Sequence, residues 1–118
     1  MLKFALKRIG QRIKMKASEI SEIIEREIGG DWARSNSHGV DLRHCLVPPV
    51  KQSYQDSFRE GETLELWLVL EEVPEDRSGY KIVFDEQARM FGLAHGEAGQ
   101  SDMFLGFYGT FLNTLEGM

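Results

Sequence analysis

The stretch TLELWLVLEEV, residues 63–73, constrains the fold more than any other part of the chain. Leu64, Leu66, Leu68 and Leu70 alternate with Glu65, Trp67, Val69 and Glu71. Side chains of an extended chain point alternately to two faces, so this is a strand with one fully apolar face. The other face is apolar only at Trp67 and Val69. That side is expected to be partly covered or used as a contact surface.

The flanking segments supply partners for this strand. Pro74 to Gly79 reads as a turn and Tyr80 to Phe84 as a returning strand. Asp85-Glu86-Gln87 reads as a second turn and Ala88 to Ala94 as a further strand. Upstream, Asp41 to Val47 reads as a strand. Pro48-Pro49 interrupts it, because neither residue has an N–H for the ladder. Tyr54 to Phe58 then resumes as an extended edge segment before a turn at Arg59 to Glu62. Short connections favour neighbours in space, which gives an antiparallel meander of three to four strands.

Two segments predict helices that cover this sheet. Ala17, Ile20, Ile23, Ile24 and Ile28 share one helical face, with Ser18 as N-cap and Gly29-Gly30 as the stop. From Met103 to Glu116, Phe104, Leu105, Tyr108, Phe111, Leu112 and Leu115 recur with helical spacing, behind a cap at Ser101 or Asp102. A strand is the competing reading of FLGFYGTF, since aromatics and glycines disfavour a helix. The expected fold is α+β: a meander packed on one face by an N-terminal helix, or helix pair, and a C-terminal helix. If both helices cover the Leu64–Leu70 side, the Glu65, Trp67 and Val69 face is left open. The expected core includes Ile20, Ile24, Ile28, Leu64, Leu66, Leu68, Leu70, Ile82, Phe84, Phe91, Leu93, Phe104, Tyr108, Phe111 and Leu115.

At 118 residues the chain reads as a single domain, 1–118. Its charge is divided unevenly. The first sixteen residues hold six cations and no acid. The remaining 102 hold 8 basic and 19 acidic residues, a net of −11 against −5 for the whole chain. Leu2, Ala5, Leu6, Ile9 and Ile13 recur at helical steps. Residues 1–14 therefore predict a basic helical appendage carrying Arg8 and Arg12. A start at Met15 would remove five of the six cations and leave the globular pattern intact. A structural role is the main expectation, as a helix with a solvated polar face or one docked on acidic surface of its own domain or of a neighbouring subunit, ahead of a partner protein. Membrane-surface contact is the weaker one. No nucleic-acid partner is expected of a chain with this overall acidity.

The longest apolar runs fall far short of the ~20 residues that a membrane span needs. The apolar residues of the head are scattered among cations, unlike a secretory signal. Neither a transmembrane segment nor secretion is expected, and a cytoplasmic location follows. The lone Cys45 excludes an internal disulfide framework and a Cys-rich zinc site.

Catalytic signals are sparse. His44-Cys45, with His38 and Asp41 nearby, has the residue types of a thiol or metal site. On a strand, however, adjacent side chains point apart, and a metal needs three or four converging ligands. Cys45 is read as structural. The loop from His95 to Ser101 lacks the spacing of a phosphate-binding loop. The acidic pairs Glu71-Glu72, Glu75-Asp76 and Asp85-Glu86 read as solvated strand ends. No catalytic residue, metal or cofactor is assigned.

Aromatic and arginine side chains anchor protein interfaces. Trp32 and Arg34 in a polar loop, Trp67 on the mixed strand face, and Arg8 and Arg12 are therefore the partner-binding candidates. The leading expectation is a non-enzymatic protein-interaction domain of adaptor or immunity type, binding a protein partner or itself. Small acidic bacterial immunity and adaptor proteins supply the analogy. The alternative is a small-molecule-binding or catalytic domain. Its pocket would lie between the sheet and the C-terminal helix, beside Gly106 and Gly109, with His95, Glu97 and Tyr108 on its rim.

Overall fold

A computed structural model describes residues 14–96 and 102–118. The expected basic helix with Arg8 and Arg12, and Glu97 of the candidate rim, lie outside the described residues. Helix α1 (Ala17–Ile28) is followed by a single helical turn, α2 (Leu42–Cys45). Five strands come next: β1 (Leu46–Asp56), β2 (Thr63–Val73), β3 (Ser78–Asp85), β4 (Met90–Gly96) and β5 (Met103–Gly109). Helix α3 (Phe111–Gly117) ends the chain.

The class is α+β as expected, but the sheet has five strands and closes into a barrel in the order β1-β2-β3-β4-β5. Successive strands pair antiparallel. With an odd number of strands, the first and last of a meander run in the same direction. The closing pair β1–β5 is accordingly parallel, with Gln55 opposite Met103 and Asp56 opposite Phe104.

Closure gives the sheet two apolar sides, and each has its own core. Tyr54, Leu66, Val83, Ala94 and Phe104 fill the barrel, with Leu64 packed against them. On the outer side, Val69, Leu70, Ile82, Phe84, Phe91 and Leu93 pack under Ile20, Ile24 and Ile28 of α1 and Phe111 and Leu115 of α3. The helices therefore cover the Trp67–Val69 side of β2, the face expected to stay open. The even-numbered side from Leu64 to Leu68 turns inward. Leu70 does not follow its parity. The register shifts between Leu68 and Leu70, and the extra residue sends Leu70 to the helix side opposite Ile82.

Several local expectations change for identifiable reasons. The strand expected over Asp41–Val47 begins only at Leu46. Asp41 accepts a hydrogen bond from the Arg43 N–H at 3.1 Å and so caps a helical turn instead. Pro48 and Pro49 lie within β1, at its register shift between Leu46 and Val50, where no ladder N–H is required. Helix α1 starts two residues earlier than a Ser18 cap implies: Lys16 is the N-cap, and Glu19 accepts the Lys16 N–H at 2.8 Å. It ends at Gly29, whose φ of 61° is left-handed.

The long C-terminal helix is not formed. Met103–Gly109 is a strand, the competing reading of that segment, with Gly106 and Gly109 at φ 140° and 98°. Thr110 caps the shorter α3 by accepting the Asn113 N–H at 3.1 Å, and Glu27 of α1 accepts the Phe111 and Leu112 N–H groups. Tyr108, assigned to the core from helical spacing, is exposed on β5.

Among the described residues no helix is long and apolar enough to cross a membrane.

Candidate functional site at the barrel mouth

The two ends of the barrel differ in chemistry. One interior end holds charges. Glu71 and Lys81 are cross-strand partners and both are buried, Lys81 to 1% exposure. The Lys81 ammonium donates to the Arg77 carbonyl at 2.8 Å and lies 3.5 Å from Asp102, while the Arg77 guanidinium donates to Glu71 at 3.0 Å. Tyr54 donates its hydroxyl to Gln52 at 3.3 Å. Burial, then the negative charges of Asp102 and Glu71, hold its phenol protonated well above the usual range. Every buried side-chain polar atom among the described residues has a partner, so this end is a closed structural network.

The opposite end is apolar and open. β1 and β5 are joined over two residue pairs, reinforced by Gln55 N–H to the Asp102 carbonyl at 2.9 Å and Ser57 N–H to the Phe104 carbonyl at 3.2 Å. β1 then leaves in the turn around Phe58. β5 continues from Leu105 to Gly109 beside β4 alone. A groove of about 590 Å³ opens there, between Phe58, Leu64 and the segment Phe104–Tyr108.

Large apolar side chains stand in water at this groove. Phe58 is 72% exposed, Tyr108 45%, Phe107 39% and Leu105 38%. The Phe104 and Phe107 rings pack at 4.8 Å, and Phe58 lies over Gly106, where a Cβ would come within 3.7 Å of its ring.

The rim is acidic. Asp56 and Asp85 line the groove and accept backbone N–H groups, Asp56 from Phe58 and Asp85 from Gln87 and Ala88. Neither pairs with a cation among the described residues. Arg59 also lines the groove, 3.6 Å from Glu62. Among the described residues the lining holds no histidine, cysteine or serine.

Of the partner-binding candidates from the sequence, the described ones, Trp32, Arg34 and Trp67, sit elsewhere and have internal partners. Trp32 packs at the edge of the helix-side core under the Arg43 guanidinium, 5.0 Å from its ring. Arg34 pairs with Glu116 at 2.6 Å. Trp67 is half-buried, stacked by the Lys51 ammonium at 5.4 Å and hydrogen-bonded to Glu86.

The ligand-rim candidates are not brought together. His95 stands opposite Met103, and Tyr108 lies five positions further along β5, roughly 16 Å away. His95 instead stacks edge-on to Tyr80 at 5.0 Å, and His38 meets the other side of Tyr80 at 5.6 Å. His38 Nδ1 bonds Glu72 at 2.7 Å. Burial pushes the Glu72 carboxyl up, but the Tyr80 N–H and His38 outweigh it and hold it below its ordinary value. A hollow of about 350 Å³ does lie between the sheet and the helices. Gly109, Arg26, Glu27 and Arg89 line it, without His95 or Tyr108.

Cys45 is buried. Its thiol donates to the Glu72 carbonyl at 3.6 Å, and burial raises its pKa, which suits a structural thiol. No group of three or more metal-ligating side chains converges among the described residues.

Sequence reasoning missed Phe58, Leu105 and Phe107 as surface residues. The available signal was Phe58 itself, a lone aromatic in the polar turn DSFREGE.

Compared with protein-family models, curated proteins and solved structures, the chain finds no match.

Proposed function

We propose that this chain is a non-enzymatic protein-recognition domain that grips a cationic, amphipathic segment of a partner protein at the barrel mouth. The observation that supports it is the exposed cluster of Phe58, Leu105, Phe107 and Tyr108 beside the carboxylates of Asp56 and Asp85, which pair with no cation among the described residues. A domain that works by occupying a basic partner fits an adaptor or immunity-type role. The apolar floor supplies affinity, and the acidic rim supplies attraction and selects against acidic competitors.

The test is a titration of the full chain with a synthetic Leu/Lys amphipathic peptide, followed through backbone amide resonances. A composition-matched scramble and a Leu/Glu peptide serve as controls. Shifts centred on Phe58 and Leu105–Tyr108, seen with the Leu/Lys peptide alone and lost in Phe58→Asp, are expected. Equal shifts with the scramble, or shifts centred elsewhere, would overturn the reading. Shifts at the groove on raising protein concentration without peptide would instead make a second copy the occupant.

The small-molecule reading is favoured by one observation, the His38–Glu72 pair against Tyr80 and His95. It predicts a ligand whose binding is lost in His95→Ala while peptide binding at the mouth persists.

A further inference from the structure

Strand β5 carries a backbone edge that the barrel itself leaves unused. Its bonds to β1 end at the Phe104 carbonyl, which accepts the Ser57 N–H at 3.2 Å. From Leu105 to Gly109, β5 pairs with β4 on one side. Among the described residues no backbone hydrogen bond reaches that stretch from the other side. The peptide groups of an extended chain point to both of its edges, so this stretch offers N–H and C=O groups to a further strand. About 15 Å of strand is open in this way.

The groove runs along that edge. Phe58 and Leu64 stand on one side of it and Phe104–Tyr108 on the other. It lies where β1 would have continued had it kept its register with β5. Against β4 the register of β5 shifts twice, which leaves Leu105 and Tyr108 as extra residues on β5. Bulges of this kind twist an edge and blunt it against indiscriminate pairing. A strand that pairs here must therefore satisfy the side chains as well. Phe58, Leu105, Phe107 and Tyr108, all exposed, call for apolar residues. Asp56 and Asp85 call for cations. No described cation pairs with either, nor with Glu60, which shares an adjoining hollow with Asp56. Arg59, the cation on the groove lining, stands 3.6 Å from Glu62.

We propose that the segment gripped at the barrel mouth enters as an extended strand of a partner protein, alternating apolar and cationic residues, and adds to the open edge of β5 in the place that β1 vacates. This rests on the mouth being a binding groove and specifies how the groove is used. Main-chain hydrogen bonds to Leu105–Gly109 supply affinity, and alternate side chains supply selectivity, the apolar set against Phe58, Leu105 and Phe107 and the cations toward Asp56 and Asp85. A second copy of this chain would bring the same carboxylates with it, and like charges oppose that pairing.

The test titrates the full chain with two short Leu/Lys peptides of one composition, one with strict alternation and one with helical spacing. The alternating peptide should bind several-fold more tightly and should slow amide hydrogen exchange between Leu105 and Gly109. Two N-methylated forms of it then probe the edge. In a strand with strict alternation the N–H groups of the Leu residues all point to one edge and those of the Lys residues to the other. Methylation of one set should abolish binding, and methylation of the other set should leave it.

Equal or tighter binding of the helically spaced peptide overturns the strand, as does identical behaviour of the two methylated forms, and both results leave the groove standing. No binding by either unmethylated peptide overturns the groove itself. Slowed exchange at Leu105–Gly109 on raising protein concentration without peptide puts a second copy on the edge and overturns the partner strand.

Discussion

Trp67 donates its indole N–H to Glu86 at 3.3 Å, and the same carboxylate oxygen accepts the Met15 N–H. Lys51 pairs with the other oxygen and also stands over the Trp67 ring. This buried carboxylate thus ties the outer face of β2 to the β3–β4 turn and to the point where the chain enters the fold. Trp67 is drawn into that junction.

Glu86→Gln is expected to destabilise the domain by about 2 kcal/mol, because hydrogen bonds to a buried charge are lost or weakened. Burial alone would raise the Glu86 pKa, but the hydrogen bonds from Lys51, Met15 and Trp67 outweigh it and hold it below the ordinary 4.5. A depressed folded-state pKa stabilises above the unfolded value and is lost as pH falls through the folded one. Urea unfolding of both proteins should therefore show a gap at neutral pH that shrinks on acidification. A gap independent of pH would remove Glu86 ionisation as its source.

Lys81→Met should be clearly destabilising, by about 1–3 kcal/mol, since it removes the hydrogen bond to the Arg77 carbonyl and leaves the half-buried Asp102 carboxylate without its cation. Asp102→Asn in the same chain should restore part of the loss if the two charges are coupled. A double-mutant cycle by chemical denaturation measures this, and strict additivity would mean that they are not.

Tyr54 predicts alkaline sensitivity. Its phenol is held protonated above the ordinary 10.0, first by burial and then by Asp102 and Glu71. A raised pKa leaves stability intact below the unfolded value and drains it as pH rises beyond. Tyrosinate absorbance should show one of the three tyrosines ionising only as the fold is lost. Tyr54→Phe should remove that step.

Gly92→Ala should cost more than Gly39→Ala. A Cβ at Gly92 would run into the Gly106 carbonyl and stand 2.9 Å from the Phe104 ring, inside the barrel wall. Gly39 faces open space, so its cost is confined to its φ of 71°, about 1 kcal/mol. Thermal melts of the two variants rank them directly.

Phe58→Asp should leave stability within about 0.5 kcal/mol, because the side chain is exposed and away from either core. Melting well below the parent chain would show Phe58 to be a structural lid on the barrel rather than a contact residue.

Much of the local architecture was legible in advance. β2 follows from strict alternation, and α1 from its isoleucine spacing and Gly29-Gly30 stop. Both match the predicted spans because each pattern is complete within its own segment. β5 was ambiguous, since a run of aromatics and glycines satisfies either period and only pairing with β4 decides between them. The candidate groove was not legible at all. It depends on β5 outrunning β1 at the closure, a register property that no local pattern encodes.

By itself the sequence determined the α+β class, the amphipathic α1, the central strand and a basic head on an acidic domain, because each is written in residue spacing or composition. The tertiary structure decided that five strands close into a barrel and that this closure turns the Leu66 side inward and puts the Val69 side under helices. A single bulge then moved Leu70 between the two cores. It also decided which apolar residues remain in water. Exposure is a property of what packs alongside, and the neighbours of Phe58 and Phe107 come from strands far away in the chain.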